Sequence, residues 1–363
     1  MKQYQMRLSL LLIVIVFGLS ACGSPTLTDS LIPFSTATST PPASQPPETA
    51  PATTDIPFTL AAGQWTHLFY HEELEQVVLV NGGPEKGKPS TDPLELWSWN
   101  GTHWSLLSKD ENGPTWRNWA AVAYDSARDV LVIHGGLQSP NSKFAETWEW
   151  DGSQWTQFTA SNAGNREGAL MAYDATRMKT SLFGGAIDLD IKGDTWERDA
   201  GQWKLVSETG PAPRFPGGMV FDPIRQEILL TSGHFAETTG AFTDFGDLWA
   251  WNGFAWREIV LSEPKPGHGA HTALVFDPQT EHILLFGGGI ETFMNDIWEW
   301  DGTSWLKIPT STNMPARSGH TVAYDAIRDR FVFFGGVERP GGKAMNDTWE
   351  WDRVNWRCVE NCP

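Results

Sequence analysis

Basic residues are scarce in this sequence. The chain of 363 residues has 26 lysines and arginines against 44 aspartates and glutamates, a formal net charge of −18. Lys2 and Arg7 lie in a segment typical of a cleaved export signal, and without them the formal charge is near −20. Such a surface repels phosphate groups and anionic lipid headgroups. The composition therefore excludes nucleic-acid binding as a function, and limits membrane contact to a lipid anchor.

Cysteine is rarer still, with Cys22, Cys358 and Cys362 as the three examples. Cys358 and Cys362 are close enough in sequence to form a disulfide in an oxidising compartment, and two free thiols are the alternative. No nucleophile, base and orienting group occur together at an interpretable spacing. The possible metal ligands are also poorly matched, since Lys192 interrupts the calcium-like run from Asp188 to Asp194. We therefore expect no cofactor and no metal.

The N-terminal part of the chain predicts export and tethering. Residues 1–21 have a basic start and an apolar run, and Leu19-Ser20-Ala21 precedes Cys22. This resembles the lipobox of bacterial lipoproteins, which implies that Cys22 carries the lipid; an ordinary secretory signal is the alternative. Residues 22–57 are rich in Pro, Ser, Thr and Ala and cannot form a core, so they predict a disordered tether. We expect an extracytoplasmic protein, anchored by lipid to a bacterial membrane or cell surface.

Tryptophan, in contrast, is abundant and periodic. Six times an acidic residue is followed two positions later by tryptophan, and seven residues after that by another. The leading tryptophans are Trp97, Trp148, Trp196, Trp249, Trp298 and Trp349, spaced by 51, 48, 53, 49 and 51 residues. A period near fifty residues is typical of a solenoid or a propeller.

Each repeat contains four short segments. The first ends in an aromatic residue followed by Asp, the second is apolar and ends in a glycine pair, the third holds the acidic-x-Trp pattern, and the fourth starts at the last tryptophan. Four such segments predict a small antiparallel sheet. The second segment is apolar at consecutive positions, so both of its faces should be buried. Tryptophans two positions apart share a strand face, and we expect them to pack between neighbouring sheets.

The double glycine and the later tryptophan resemble kelch repeats. The resemblance covers residues 63–358 and implies an all-β, six-bladed β-propeller over residues 58–363. We expect blades at about 63–108, 115–160, 164–208, 212–262, 266–309 and 315–358. Departures from the pattern are Ser232 for a glycine, Arg198 for a tryptophan, and a first blade without the basic residue. The ring could close with an edge strand at residues 58–61, or by docking of the last blade on the first.

Uneven loops between the second and third strands predict the functional face of the propeller. The candidate ligand-binding residues at that end are Arg117, Arg166, Arg214, His268, Arg317, Trp116 and Trp119. The arginines either form structural ion pairs with the acidic residues that start the third strands, or hold a carboxylate or hydroxyl-rich ligand. The two tryptophans lie outside the period, and either stack on a sugar ring or fill a gap in the core.

These patterns favour a monomeric binding or scaffold protein that presents the loop-rich face to an extracellular glycan or protein. The kelch resemblance also suggests enzymes. Galactose oxidase chemistry needs a cysteine cross-linked to tyrosine, and no cysteine lies between residues 23 and 357. A sialic-acid mutarotase-like epimerase at the channel mouth remains the alternative, with Arg214 or Arg166 beside Glu167 or Glu237 as acid and base. Catalysis is left open.

Overall fold

The computed structural model describes Leu60 and residues 66–81, 91–139, 141–159, 162–188, 190–236, 242–267, 269–310 and 314–362. The signal, Cys22, the tether and His268 lie outside the described residues. No helix in the described ranges is long and apolar enough to cross a membrane.

The regular elements are β-strands, and they form a six-bladed β-propeller, as the sequence predicted. Each blade is a four-stranded antiparallel sheet built from one continuous repeat, with the strands in sequence order from the inside outwards. The strands of blades 1 to 3 are His67–His71, Gln76–Asn81, Glu95–Trp99 and Trp104–Lys109; Ala121–Asp125, Val130–His134, Thr147–Trp150 and Trp155–Phe158; and Leu170–Asp174, Lys179–Phe183, Thr195–Asp199 and Gln202–Ser207. Those of blades 4 to 6 are Gly218–Asp222, Glu227–Thr231, Leu248–Trp251 and Trp256–Ile259; Ala273–Asp277, His282–Gly288, Met294–Trp300 and Trp305–Ile308; and Thr321–Asp325, Arg330–Phe334, Thr348–Trp351 and Trp356–Glu360.

The first strands of successive blades contact one another around a closed ring, including those of blades 1 and 6. The loops between the second and third strands therefore lie at one end of the propeller, here called the loop face. Among the described residues, three of them carry short hairpins, Leu137–Ser139 with Ser142–Lys143, Ala186–Ile187 with Asp190–Ile191, and His234–Ala236 with Phe242–Asp244. The turns between strands one and two, and the hairpins between strands three and four, lie at the opposite end, here called the turn face.

The core lies between the blades. The second strand of blade 2, Val130–His134, is buried at every position, which confirms that both of its faces are covered. Trp97, Trp99 and Trp104 of blade 1 pack against Val332 and Phe334 of blade 6. The periodic indoles thus form blade-to-blade packing, as their spacing predicted.

Polar contacts also join the blades through these indoles. Trp203 donates from Nε1 to Thr147 of the preceding blade at 2.9 Å, and Trp251 donates to Glu197 of the preceding blade at 3.0 Å. The same contacts join the first and last blades, since Trp104 donates to Thr348 at 2.8 Å. Ring closure therefore uses docking of blade 6 on blade 1, and all four strands of blade 1 come from residues 67–109.

The glycine pairs bring the loop face of one blade onto the next. Gly136 donates its N–H to the carbonyl oxygen of Arg166 in the following blade at 2.8 Å. Gly135 has a positive φ of 68°, and a Cβ there would lie 2.3 Å from the same carbonyl oxygen. Only glycine permits that approach. At the C-terminus, Cys358 and Cys362 form a disulfide, with their Cα atoms 5.7 Å apart.

Candidate functional site

Three arginines of the loop face form bidentate ion pairs inside their own blades. Arg166 donates to the carboxylate of Asp194 at 2.6 and 2.7 Å, and also to the carbonyl oxygen of Gly184 at 2.8 Å. The same arrangement joins Arg214 to Asp247 and Arg317 to Asp347. Arg117 makes a single contact of this type, to Glu146 at 3.0 Å.

These four guanidinium groups are 0–2% exposed and bound to protein oxygens. Burial alone would raise the pKa of Asp194, but hydrogen bonds from Arg166 and Trp196 bring it below its ordinary value. A guanidinium in a bidentate pair offers little to a ligand. The geometry is that of the structural ion pair, which was one of the two interpretations of these residues.

In blades 1 and 5, a lysine instead of an arginine pairs with the equivalent carboxylate. Lys109, from the fourth strand, lies 2.8 Å from Glu95 in blade 1, and Lys307 lies 2.8 Å from Asp296 in blade 5. In blade 5, Gly269 occupies the position that the arginine holds in blades 2, 3, 4 and 6. Gly233 donates to the carbonyl oxygen of Gly269, just as Gly136 donates to the carbonyl oxygen of Arg166. A lysine from the outer strand thus takes the place of the missing arginine.

This register corrects one sequence-based alignment. His268 is grouped with the arginines in the sequence, but Gly269 holds their position in the structure, and His271 matches Gly319. The backbone confirms it, since Gly289 donates to the Ala270 carbonyl as Val337 does to that of Ser318. The count of residues already carried the signal: seven residues separate each arginine from the aromatic end of its strand, and eight separate His268 from Phe276.

The two unperiodic tryptophans among the candidate residues have different environments. Trp116 is 8% exposed, and its backbone N–H donates to the carbonyl oxygen of Asp92 at 2.8 Å. Its indole therefore fills space below the surface. Trp119 is half-buried and has a positive φ of 57°, an uncommon conformation for an aromatic residue that often marks functional positions.

Trp119 reaches across the loop face. Its ring centroid lies 5.7 Å from that of Phe215, which belongs to blade 4, two blades away. The two rings meet over Gly168 of blade 3, where a Cβ would lie 3.1 Å from Phe215 and 3.6 Å from Trp119. Side chains from alternate blades can meet only near the propeller axis. The pair therefore lies at the mouth of the central channel.

Two histidines extend this pair into a row of four rings. The ring of Phe215 lies 4.9 Å from that of His234, and His234 lies 6.0 Å from His271 of blade 5. Burial, followed by the charge of His234, lowers the pKa of His271 to about 3. Burial also lowers the pKa of His234. Both imidazoles are therefore neutral at neutral pH, and each carries one donor and one acceptor nitrogen.

An ion pair joins blades 2 and 3 on the loop face. Lys143, on the blade 2 hairpin, lies 3.0 Å from Glu167 of blade 3, and both side chains are largely buried, at 9% and 15% exposed. Glu167 is thus paired with a lysine that also lies 3.5 Å from Asp188, whereas the Arg166 guanidinium binds Asp194. Glu237, the other carboxylate considered for catalysis, lies outside the described residues. In the ranges that the structure describes, no three His, Cys, Asp or Glu residues could hold a metal.

Comparison with known proteins bears on the fold alone. No protein-family model matches the chain, and no curated protein matches its sequence. The solved structure of YjhT is similar, with a TM-score of 0.61 and 15% sequence identity, covering 83% of this chain and 98% of that one. At such identity the likeness extends to the fold and carries no site residues.

Sequence reasoning found Trp119 but missed its partners. Phe215 directly follows Arg214, a candidate ligand-binding residue. His234 directly follows Ser232-Gly233, where the sequence departs from the glycine pair. The replacement of the first glycine of a pair by Ser232, which has a positive φ of 63°, was a signal that the blade 4 loop is special. Which residues meet there depends on the ring geometry of the propeller.

Proposed function

We propose that this protein binds a neutral glycan at the mouth of its central channel, on the loop face. The row formed by Trp119, Phe215, His234 and His271 carries the proposal. It presents half-buried aromatic faces next to two neutral imidazoles. An apolar face with a few convergent polar groups is the usual construction of a small-ligand site.

The charge pattern supports a neutral ligand over an acidic one. An acidic sugar would call for an available guanidinium, and Arg117, Arg166, Arg214 and Arg317 are each bound to a carboxylate. The net charge of −18 also disfavours anions at long range. Neutral imidazoles suit hydroxyl groups, which both donate and accept hydrogen bonds.

We propose that this binding occurs outside the cytoplasm, and the pattern of the N-terminal residues supports it. Lipid at Cys22 would hold the protein to a membrane, and a proline-rich tether of residues 22–57 would extend at about 3.1 Å per residue, or roughly 100 Å in all. The repeats resemble kelch repeats, and their propeller would then act as a displayed receptor. Binding to an extracellular protein would use the same face through the glycan that the protein carries.

A glycan array with the purified full chain tests the proposal. We expect binding of neutral glycans, with Trp119→Ala and Phe215→Ala each weakening the affinity about tenfold or more, which is a loss of about 1.4 kcal/mol. Phe254→Ala is the matched control, because Phe254 is 88% exposed in a turn-face hairpin. Preference for sialylated glycans, or unchanged affinity in both site variants, would contradict the proposal.

The enzymatic alternative has its own readout in the same samples. Proton NMR of a bound reducing sugar would show exchange between its anomers, and acceleration over buffer would indicate an epimerase. Binding without such exchange supports the receptor function.

A further inference from the structure

The blade 4 loop extends the row of rings through a small sheet. Phe215 and His234 form an antiparallel bridge, in which each backbone N–H donates to the carbonyl oxygen of the other residue, at 3.1 and 3.2 Å. His234 also pairs with Asp244 across the hairpin of His234–Ala236 and Phe242–Asp244. Residues directly opposite each other in antiparallel strands have their side chains on the same side of the sheet. Phe215, His234 and Asp244 therefore share one face.

The other face of this small sheet covers a buried ion pair. Arg214 directly precedes Phe215 in the chain, and its side chain therefore points to the opposite face. The same holds for Phe245, which directly follows Asp244. The Arg214 guanidinium lies 4.0 Å from the centroid of the Phe245 ring and is bound to Asp247. Because Arg214 is 0% exposed, its face is the inner one, and the row lies on the outer face.

Asp244 is an exposed polar group on that outer face. Its side chain is exposed, whereas His234 is 7% exposed. Burial lowers the pKa of His234, and the charge of Asp244 opposes this effect, which indicates that the carboxylate lies close to the imidazole. A ligand stacked on the Phe215 ring and extending past the nearly buried imidazole would therefore meet the Asp244 carboxylate.

The same three-residue ladder occurs in other blades with different side chains. Its middle position holds Leu137, Ala186 and Val337 in blades 2, 3 and 6, and the residues opposite them are Lys143, Ile191 and Ala344. An apolar residue at the middle position is thus fully compatible with this backbone. Blade 4 has His234 and Asp244 at these two positions. The backbone does not require their polar groups, so we look to a ligand for their role.

We propose that Asp244 selects the ligand of the glycan site by binding two adjacent hydroxyl groups of a neutral sugar, an inference that rests on the proposed glycan-binding function. An ionised carboxylate has two oxygens that accept hydrogen bonds and no donor. Each of two neighbouring hydroxyl groups donates to one oxygen, and such charge-assisted bonds are stronger than neutral ones. The sugar ring stacks on Phe215 at the same time, since both groups are on one face. A sugar acid brings a second negative charge next to Asp244 and is rejected.

Titration of the full chain with the methyl glycosides of glucose, galactose and mannose, each with its set of monodeoxy analogues, tests this role by ligand NMR. Asp244→Asn keeps the shape of the side chain but replaces one accepting oxygen by a donor. We expect this variant to bind the preferred methyl glycoside at least tenfold more weakly. In the wild-type protein, removal of either of two adjacent hydroxyl groups should cause a similar loss. In Asp244→Asn the same removals should cost less than about threefold, because the interaction is already lost.

Asp190→Asn is the matched control. Asp190 is 71% exposed in the equivalent hairpin of blade 3, and its variant should keep the wild-type affinity. Wild-type affinity in Asp244→Asn, together with loss of binding in Trp119→Ala, would overturn the role of Asp244 and leave the glycan site in place. Equal loss in Asp190→Asn, or an undiminished effect of the deoxy analogues in Asp244→Asn, would also overturn it. No binding of any of the three methyl glycosides to the wild-type protein would contradict the proposed function itself, and this inference with it.

Discussion

Trp99 of blade 1 donates a hydrogen bond from Nε1 to Glu350 of blade 6 at 3.1 Å, although 251 residues separate the two in sequence. Arg328 holds the same carboxylate from within blade 6. The seam that closes the ring thus repeats the contact between Trp251 and Glu197 within the ring. The propeller closes through the same kind of side-chain contact as the seam of blades 3 and 4, without exchanging a strand.

The closing hydrogen bond should contribute measurably to stability. We expect Trp99→Phe to lower the free energy of unfolding more than Trp300→Phe does, by about 1.5 kcal/mol, because bonds to charged groups are worth about that much. Trp300 is the matched control: it is equally buried, and its Nε1 has no hydrogen-bond partner among the described residues. Urea denaturation of both variants measures the difference. Equal losses would show that the bond contributes nothing.

The arginines of the loop face should be needed for folding. Arg317 and Asp347 are 1% and 5% exposed, and removing one partner of a buried pair typically costs about 3–5 kcal/mol. We expect Arg317→Ala to lose stability in that range, measured by chemical denaturation. Arg257→Ala, on an exposed pair, should change stability by less than about 1 kcal/mol. Near-native stability of Arg317→Ala would instead leave its guanidinium available for a ligand role.

Stability should fall as the pH is lowered from about 6.5 towards 4. Burial, and then the charge of Arg317, lower the pKa of His320 to about 3 from its ordinary 6.5; that of His134 is also about 3, with burial as the main cause. Between these pH values the unfolded chain binds protons that the folded chain does not, so acid favours unfolding. His320→Phe should make this slope shallower by about 1.4 kcal/mol per pH unit. Urea denaturation of both proteins at pH 7, 5.5 and 4.5 measures how stability depends on pH. The same pH dependence in both would contradict the prediction.

Glycan binding should require the absence of a side chain at Gly168, in addition to its backbone conformation. Its φ is +65°, and a Cβ would press on Phe215 at 3.1 Å. Gly168→Ala should therefore displace the rings and weaken neutral-glycan binding at least tenfold. Gly341→Ala is the control, because Gly341 has a similar φ of +67° with nothing within 4 Å of the added Cβ. Both variants should lose about 1–2 kcal/mol of stability, because alanine disfavours the left-handed backbone conformation. Equal glycan affinity in the two variants would contradict a role for the rings.

The blades were predictable because their information is local. Each sheet pairs strands from one continuous repeat, so the tryptophan period and the glycine pairs suffice to place them. The one error of register, at His268, arose where the arginine is missing and a histidine lies one position before its place. Backbone contacts between neighbouring blades, such as that of Gly233 with Gly269, supplied the correct alignment.

The sequence by itself determined the number of blades, the burial of their second strands and the role of the periodic indoles, since these depend on residue spacing within a strand. Only the tertiary structure decided which arginines are bound to carboxylates, and which unperiodic residues meet. Trp119 and Phe215 come together because closing six blades into a ring brings alternate loops to the axis. That relationship spans two repeats, and no local pattern in the chain encodes it.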